Sequence, residues 1–109
     1  MTNVAITKNS NSIVCVECDG HTGYGVEGED IVCSALSSIV QTALLGLVQV
    51  AGVDVDYQIV DVDAYLKMEL PKQLTPAQQH DADIILNTML LGIQDLYEGF
   101  SDFISLEVK

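Results

Sequence analysis

The 109-residue sequence predicts an α+β fold, an antiparallel or mixed sheet with two long helices packed on it, in the order ββαββαβ. Three observations lead to this prediction. Segments with a two-residue apolar period occur near both ends and in the middle of the chain, two long apolar segments separate them, and turn-forming residues divide neighbouring strands. Short turns make neighbouring strands antiparallel, and the apolar faces of the helices need a sheet to cover.

The N-terminal half is predicted to contain a hairpin, a loop and a helix. The hairpin is favoured by β-branched residues on both sides of a turn-forming Asn-Ser-Asn-Ser segment. The loop contains four glycines and is too polar for a regular element. Asp30 can cap the helix that follows by accepting hydrogen bonds from its free amides. The expected bounds are 4–18 for the hairpin with a turn at 9–12, 19–30 for the loop, and Ile31 to Gly52 for the helix.

The C-terminal half is predicted to contain a second hairpin, a second helix and a last strand. In both hairpin strands apolar residues alternate with polar ones, which indicates one buried and one wet face; in the first, Tyr57 and Ile59 belong to the buried set. Thr75 and Gln78 have the spacing of a capping box, with Pro76 between them. The expected bounds are 53–59 and 64–70 for the hairpin strands with a turn at 61–63, 76–98 for the helix, and 104–109 for the last strand.

The charge of the chain limits its partners. Sixteen carboxylates and four cationic side chains give a formal net charge of −12, which disfavours direct nucleic-acid binding and attracts basic partners. The start of the chain lacks the features of a secretory signal, so a cytoplasmic location with reduced cysteines is expected. Segment 31–53 carries no charge, but its polar residues gather on one helical face and its flanks are acidic. This pattern favours an amphipathic or buried helix over a membrane span.

Two patterns suggest cofactor chemistry that the surrounding residues do not support. Cys15 and Cys18 have the spacing of a redox pair or half a zinc site, but residues three apart on a strand point to opposite faces, so structural thiols are favoured. The glycine-rich loop before the first helix resembles a phosphate cradle in outline, yet no lysine ends it and its exit is acidic. No metal and no cofactor are therefore expected.

His21 and Cys33 form a candidate catalytic pair. Cys33 is expected in the first turn of the helix, where free amides and the positive dipole end can stabilise a thiolate and an oxyanion. His21, in the glycine loop, could take the thiol proton and return it to a leaving amine. On spacing alone, however, a structural cysteine and a solvated histidine are the favoured interpretation, because Cys–His pairs have no transferable spacing.

A wider pattern of residues changes this balance. It consists of Gly20-His21-Thr22-Gly23-Tyr24, Gly28, Asp30-Ile31-Val32-Cys33-Ser34-Ala35, and Ser37. This pattern resembles the ribosomal-processing cysteine protease family, known as Prp, and the resemblance covers essentially the whole chain as one cysteine protease domain, residues 1–109. It implies that His21 and Cys33 are the catalytic dyad. It also implies that Gly20, Gly28, Asp30 and Ser37 shape the site.

The resemblance also implies a substrate and an assembly. The family removes a short N-terminal extension from the bacterial large-subunit ribosomal protein L-twenty-seven, and its members form homodimers. Nearly uniform apolarity over residues 84–96 independently favours a dimer interface. Two rival functions remain open: a non-enzymatic assembly factor that binds the same basic protein, and a redox or metal-binding protein that uses its cysteines with His21 or His80. His80 itself is expected on the surface of a helix.

Overall fold

The computed structural model describes residues 2–20, 29–60 and 65–109, and the side chains of Glu29 and Asp30 lie outside the description. The predicted order ββαββαβ is confirmed. The predicted turn at 61–63 lies outside the described residues. The elements are β1 (Thr2–Asn9), β2 (Ser12–Asp19), α1 (Glu29–Leu45) continued by a π-helical segment (Gly46–Val50), β3 (Asp56–Val60), β4 (Tyr65–Glu69), α2 (Pro76–Gly99) and β5 (Ile104–Val108).

The five strands form one mixed sheet in the order β3-β4-β2-β1-β5. Both predicted hairpins are antiparallel, and β2 also pairs antiparallel with β4. The last strand pairs parallel with β1, because α2 carries the chain back across the sheet. In the first hairpin, Ser10 and Asn11 both have positive φ, of 53° and 70°, as a two-residue turn between twisted strands requires.

Both helices pack on one face of the sheet and form the core with it. Val32, Leu36, Val40 and Leu47 form the buried stripe of α1 and its π-helical continuation. By length and composition alone, Ile31–Val50 could cross a membrane. A third of this segment is buried, and its buried stripe is the packing face of a core helix. On α2, the capping box of Thr75 and Gln78 is present as predicted.

Two details of the predicted elements are wrong. The first helix begins at Glu29, two residues before the expected start. The predicted capping by Asp30 depends on a side chain that lies outside the described residues. The first strand of the second hairpin begins at Asp56, and Tyr57 and Ile59 are exposed, not buried. The reason for the exposure is the position of β3 at the edge of the sheet, where one side has no strand neighbour.

The pairing of β5 can be tested with two residues that lie on the same face of that strand. Ile104 is 1% exposed and Val108 is 42% exposed. We expect Ile104→Ala to lower the free energy of unfolding by about 2–5 kcal/mol, because it leaves a cavity in the core. Val108→Ala should cost less than about 1 kcal/mol. Urea denaturation measures both, and equal losses would mean that β5 does not pack as described.

Candidate active site

A cavity of about 590 Å³ opens between the start of α1 and the sheet. Its wall includes Cys33 of α1, Thr2 at the start of β1, and Gly20 directly after β2. Cys33 is half-buried, so its sulfur is in contact both with protein and with the space of the cavity. The cavity is therefore the place where a substrate could reach this thiol.

The sulfur of Cys33 has a defined polar neighbour. Its Sγ lies 3.2 Å from Oγ1 of Thr2, and the same hydroxyl donates a hydrogen bond of 3.0 Å to the carbonyl oxygen of Gly20. Gly20 has a φ of 104°, a conformation that L side chains rarely adopt, so glycine is required at this corner. Two hydrogen bonds through Thr2 therefore connect the sulfur to the carbonyl oxygen of Gly20, the residue directly before residue 21.

The position of Cys33 in the helix differs from the expectation. Because α1 begins at Glu29, Cys33 is its fifth residue and lies just past the first turn. The backbone amides without an intrahelical acceptor therefore belong to residues before Cys33. The sulfur is still within about one turn of the positive end of the helix dipole, which favours an anion there.

A polar stripe runs along α1 beside its buried stripe. Cys33, Ser37 and Gln41 follow one another at four-residue spacing, all three are half-buried, and all three line the cavity. The side-chain amide of Gln41 donates a hydrogen bond of 2.7 Å to the hydroxyl of Ser37. The helix therefore presents its polar groups to the cavity while the neighbouring stripe enters the core.

The structure brings together three of the residues singled out from the sequence. Cys33 and Ser37 lie on the same stripe of α1, and Gly20 is bridged to Cys33 by the hydroxyl of Thr2. His21 and Gly28 lie outside the described residues, and so does the side chain of Asp30. Their assigned roles stay predictions.

The other two cysteines have environments unlike that of Cys33. Cys18 is buried in the core, and this burial raises the pKa of its thiol to about 12. Cys15 is half-buried, and burial, opposed by the charge of Lys67, also raises its pKa. Both are free thiols. Raised pKa values make these two cysteines poor nucleophiles at neutral pH.

Two further observations bear on metal binding. Within the described part of the chain, no group of three His, Cys, Asp or Glu side chains is arranged to hold a metal ion. His80 is exposed on α2, where Nδ1 lies 3.2 Å from a carboxylate oxygen of Asp81. A ring so exposed to solvent is a surface residue, as its sequence position predicted.

Tyr65 and Glu17 form a contact that the sequence did not reveal. The phenol of Tyr65, at the edge of the cavity, donates a hydrogen bond of 2.6 Å to Oε2 of Glu17. This bond, assisted by partial burial and by the negative charges of Glu17 and Asp19, raises the pKa of Tyr65 to about 12. The contact joins β4 to β2 and holds the Tyr65 side of the cavity in place.

The part of the cavity wall formed by β3 and β4 is largely apolar. It includes Ile59 and Val60 of the edge strand β3 and Leu66 of β4. A cavity with a thiol at one end and aliphatic side chains along the other suits an extended peptide with apolar side chains. The exposure of Ile59, which the alternation pattern did not predict, gives this wall its apolar rim.

Comparison with known proteins gives consistent matches over most or all of the chain. The family model described as cysteine protease Prp matches residues 1–105. The ribosomal processing cysteine protease Prp of Staphylococcus aureus (strain Mu50) is 27% identical over 110 residues, with 100% of both chains covered. The corresponding protein of Bacillus subtilis (strain 168) is 22% identical over 94 residues, covering 86% of this chain and 84% of the relative.

Solved structures of the S. aureus protease match the fold closely. The complex with a substrate peptide has a TM-score of 0.87 and 25% sequence identity, and it covers 100% of both chains. The form with a covalently linked product peptide has a TM-score of 0.83 and 26% identity, again with 100% of both chains covered. These structures share the sheet and both helices with the chain described above.

The contact between Tyr65 and Glu17 can be tested by titration. We expect the phenol of Tyr65 to keep its proton at pH 11, and Glu17→Gln to lower its pKa toward 10 because the anionic acceptor is lost. The stability that this bond contributes is present below about pH 10 and is lost as the pH rises through about 12. The difference in absorbance between the wild type and Tyr65→Phe isolates this phenol. Identical midpoints with and without the Glu17 charge would contradict the assignment.

Proposed function

This chain belongs to the cysteine protease Prp family and is a cysteine protease, and we propose that it removes the N-terminal extension of the bacterial ribosomal protein L-twenty-seven. In this proposal Cys33 is the nucleophile and His21 is its general base. The relatives are named as ribosomal processing proteases, and solved structures of one of them contain a substrate peptide or a covalently linked product peptide. Removal of the extension would be a step in ribosome maturation.

The proposed reaction proceeds through an acyl-enzyme. His21 takes the proton of the Cys33 thiol, the thiolate attacks the carbonyl carbon of the scissile peptide, and the resulting oxyanion is stabilised at the N-terminal end of α1. His21 then gives its proton to the leaving amine. Water, activated by the same imidazole, hydrolyses the thioester and restores the thiol.

The observation that carries this assignment is the setting of the Cys33 sulfur. Among the three cysteines, Cys33 is the one that combines access to the cavity with proximity to a helix N-terminus. Cys18 lies in the core, and Cys15 lies in the middle of β2. Gly20, the chain neighbour of His21, is linked to this sulfur through Thr2. Gly20 therefore lies near the thiol, as the proposed role of its chain neighbour requires.

The substrate class is supported by charge and by the cavity wall. A net charge of −12 attracts a basic ribosomal protein and raises its rate of encounter. The aliphatic wall of the cavity offers contact to an extended apolar segment near the cut. Since ribosomes are assembled in the cytoplasm, a cytoplasmic location is part of this proposal and shares its test.

The nucleophile is tested with two matched cysteine variants. We expect Cys33→Ser to lower cleavage of the extended ribosomal protein by about a thousandfold or more, because a serine hydroxyl is hardly ionised by an imidazole in this setting. Cys15→Ser, the same change at a thiol outside the cavity, should stay within about twofold of the wild type. Mass spectrometry of the substrate, incubated with each variant, measures the cut.

Two outcomes of this experiment would overturn the proposal. Retained turnover by Cys33→Ser would overturn the assignment of Cys33 as the nucleophile. An intact ribosomal protein that binds the wild-type chain tightly, with binding unchanged after alkylation of Cys33, would favour a non-enzymatic assembly factor.

A homodimer is also part of the proposal. Ile84 and Leu91 of α2 are 55% and 66% exposed, and Ile84 borders a second, mainly apolar cavity of about 540 Å³ between the two helices. Exposed aliphatic side chains beside an apolar groove are typical of a surface that a second copy covers.

The dimer is tested by sedimentation equilibrium. Leu91→Asp should raise the dimer dissociation constant at least about tenfold, because it would bury an unpaired charge. Gln73→Asp adds the same charge at an exposed site before α2 and should leave the association unchanged. A wild-type chain that is monomeric at all concentrations would contradict the dimer without affecting the proposed cleavage.

A further inference from the structure

Thr2 is a buried polar residue at the meeting point of β1, β2 and α1. Among the residues whose burial is described it is the one buried polar or charged residue, with 5% of its surface exposed. Its backbone N–H donates a hydrogen bond of 2.9 Å to the carbonyl oxygen of Phe103, which fixes the residue against the segment before β5. Its hydroxyl bridges Gly20 and Cys33, at 3.0 Å and 3.2 Å.

The hydrogen bonds that Thr2 can donate in this bridge are limited by its single hydroxyl proton. A threonine hydroxyl has one proton to donate, and the Gly20 carbonyl oxygen can only accept. While Thr2 donates to Gly20, the contact with Cys33 is satisfied by the thiol, whose S–H donates to Oγ1 of Thr2. Once the thiol has lost its proton, the sulfur and the carbonyl oxygen are both acceptors and compete for the single proton of Thr2.

A negatively charged sulfur is the stronger acceptor of the two, since hydrogen bonds to ionised groups are about twice as strong as neutral ones. Rotation of the hydroxyl about its C–O bond is enough to move the donor from Gly20 to Cys33. The O–H bond of Thr2 stays intact, whereas the S–H bond of Cys33 breaks and its proton forms a new N–H bond on the general base.

We propose that Thr2 is a positioning residue for the cleavage reaction. Its hydroxyl donates a hydrogen bond to the carbonyl oxygen of Gly20 when Cys33 is a thiol, and to the Cys33 sulfur when Cys33 is a thiolate. The switch stabilises the reactive thiolate. It also releases the carbonyl of Gly20, the residue directly before His21, in the same step. This inference rests on the proposed roles of Cys33 and His21.

Among the described side chains, that of Thr2 lies within hydrogen-bonding distance of the Cys33 sulfur. The other described titratable side chains that line the same cavity are Cys18 of β2 and Tyr65 of β4. Each has a pKa raised to about 12, the first by burial and the second by its bond to Glu17. Both are neutral at the pH of catalysis, so neither competes with the Thr2 hydroxyl as a charged partner.

The proposal is tested by the rate at which iodoacetamide alkylates Cys33, measured from pH 5 to 10 and resolved by peptide mass spectrometry from alkylation of Cys15. Thr2→Val keeps the shape of the side chain and removes the hydroxyl. We expect it to slow alkylation at pH 7 by about tenfold and to move the midpoint of the profile to higher pH, because the thiolate loses a donor. Thr2→Ser should restore the wild-type profile within about twofold.

Two controls separate this effect from damage to the fold. Thr7→Val makes the same change at an exposed position of β1 and should leave the profile unchanged. If Thr2→Val does not fold, as judged by circular dichroism, Thr2→Ala and Thr2→Ser form a second pair that differs only in the hydroxyl. Intact masses confirm that all variants share the same N-terminal residue.

The outcomes distinguish this inference from the proposed function. Alkylation profiles that superpose with and without the hydroxyl, or an equal shift in Thr2→Ser, would overturn the role of Thr2 even when Cys33→Ser is inactive. Full cleavage by Cys33→Ser would overturn the assignment of Cys33 as the nucleophile. The alkylation profiles would still measure the effect of the Thr2 hydroxyl on the sulfur. A shifted profile for Thr2→Val, rescued by Thr2→Ser, would support the switch.

Discussion

The burial of one stripe of α1 against the sheet is the constraint on which the site depends. Val32 and Leu36 enter the core at four-residue spacing, so the rotation of the helix about its axis is fixed by apolar burial. Cys33 follows Val32 by one residue, about 100° around the helix, and is therefore held at the border between core and cavity. Neither the full burial of Cys18 nor full exposure is available to it.

The elements themselves were largely predictable because their signals are local. Alternation, turn residues and the capping box of Thr75 and Gln78 each depend on residues a few positions apart, and these predictions are confirmed. The start of α1 was misplaced because Asp30 is acceptable both as a cap and in a first helical turn. The exposure of Tyr57 was missed because alternation does not distinguish an edge strand from a central one.

The sequence predicts only those parts of the site that depend on residues close together in the chain. A cysteine near a helix N-terminus can be identified from its position, and a resemblance over residues 20–37 strengthened that interpretation. The contacts of Thr2 and the bond between Tyr65 and Glu17 join residues 31 and 48 positions apart. Such pairs are created by the register of the sheet and the docking of α1, neither of which leaves a local pattern in the sequence.

The strong negative charge of the chain and a reactive thiolate are compatible because they act over different distances. Exposed carboxylates farther from the sulfur than a Debye length, about 8 Å at physiological salt, are largely screened. A hydrogen bond to a charged group contributes about 1.5–3 kcal/mol and acts only at contact. The charge of −12 therefore acts on partners that approach the surface, whereas the contact with Thr2 acts on the sulfur of Cys33 alone. Under the proposed function, one molecule can in this way attract a basic substrate and stabilise an anionic sulfur at Cys33, because the Thr2 hydroxyl lies against that sulfur.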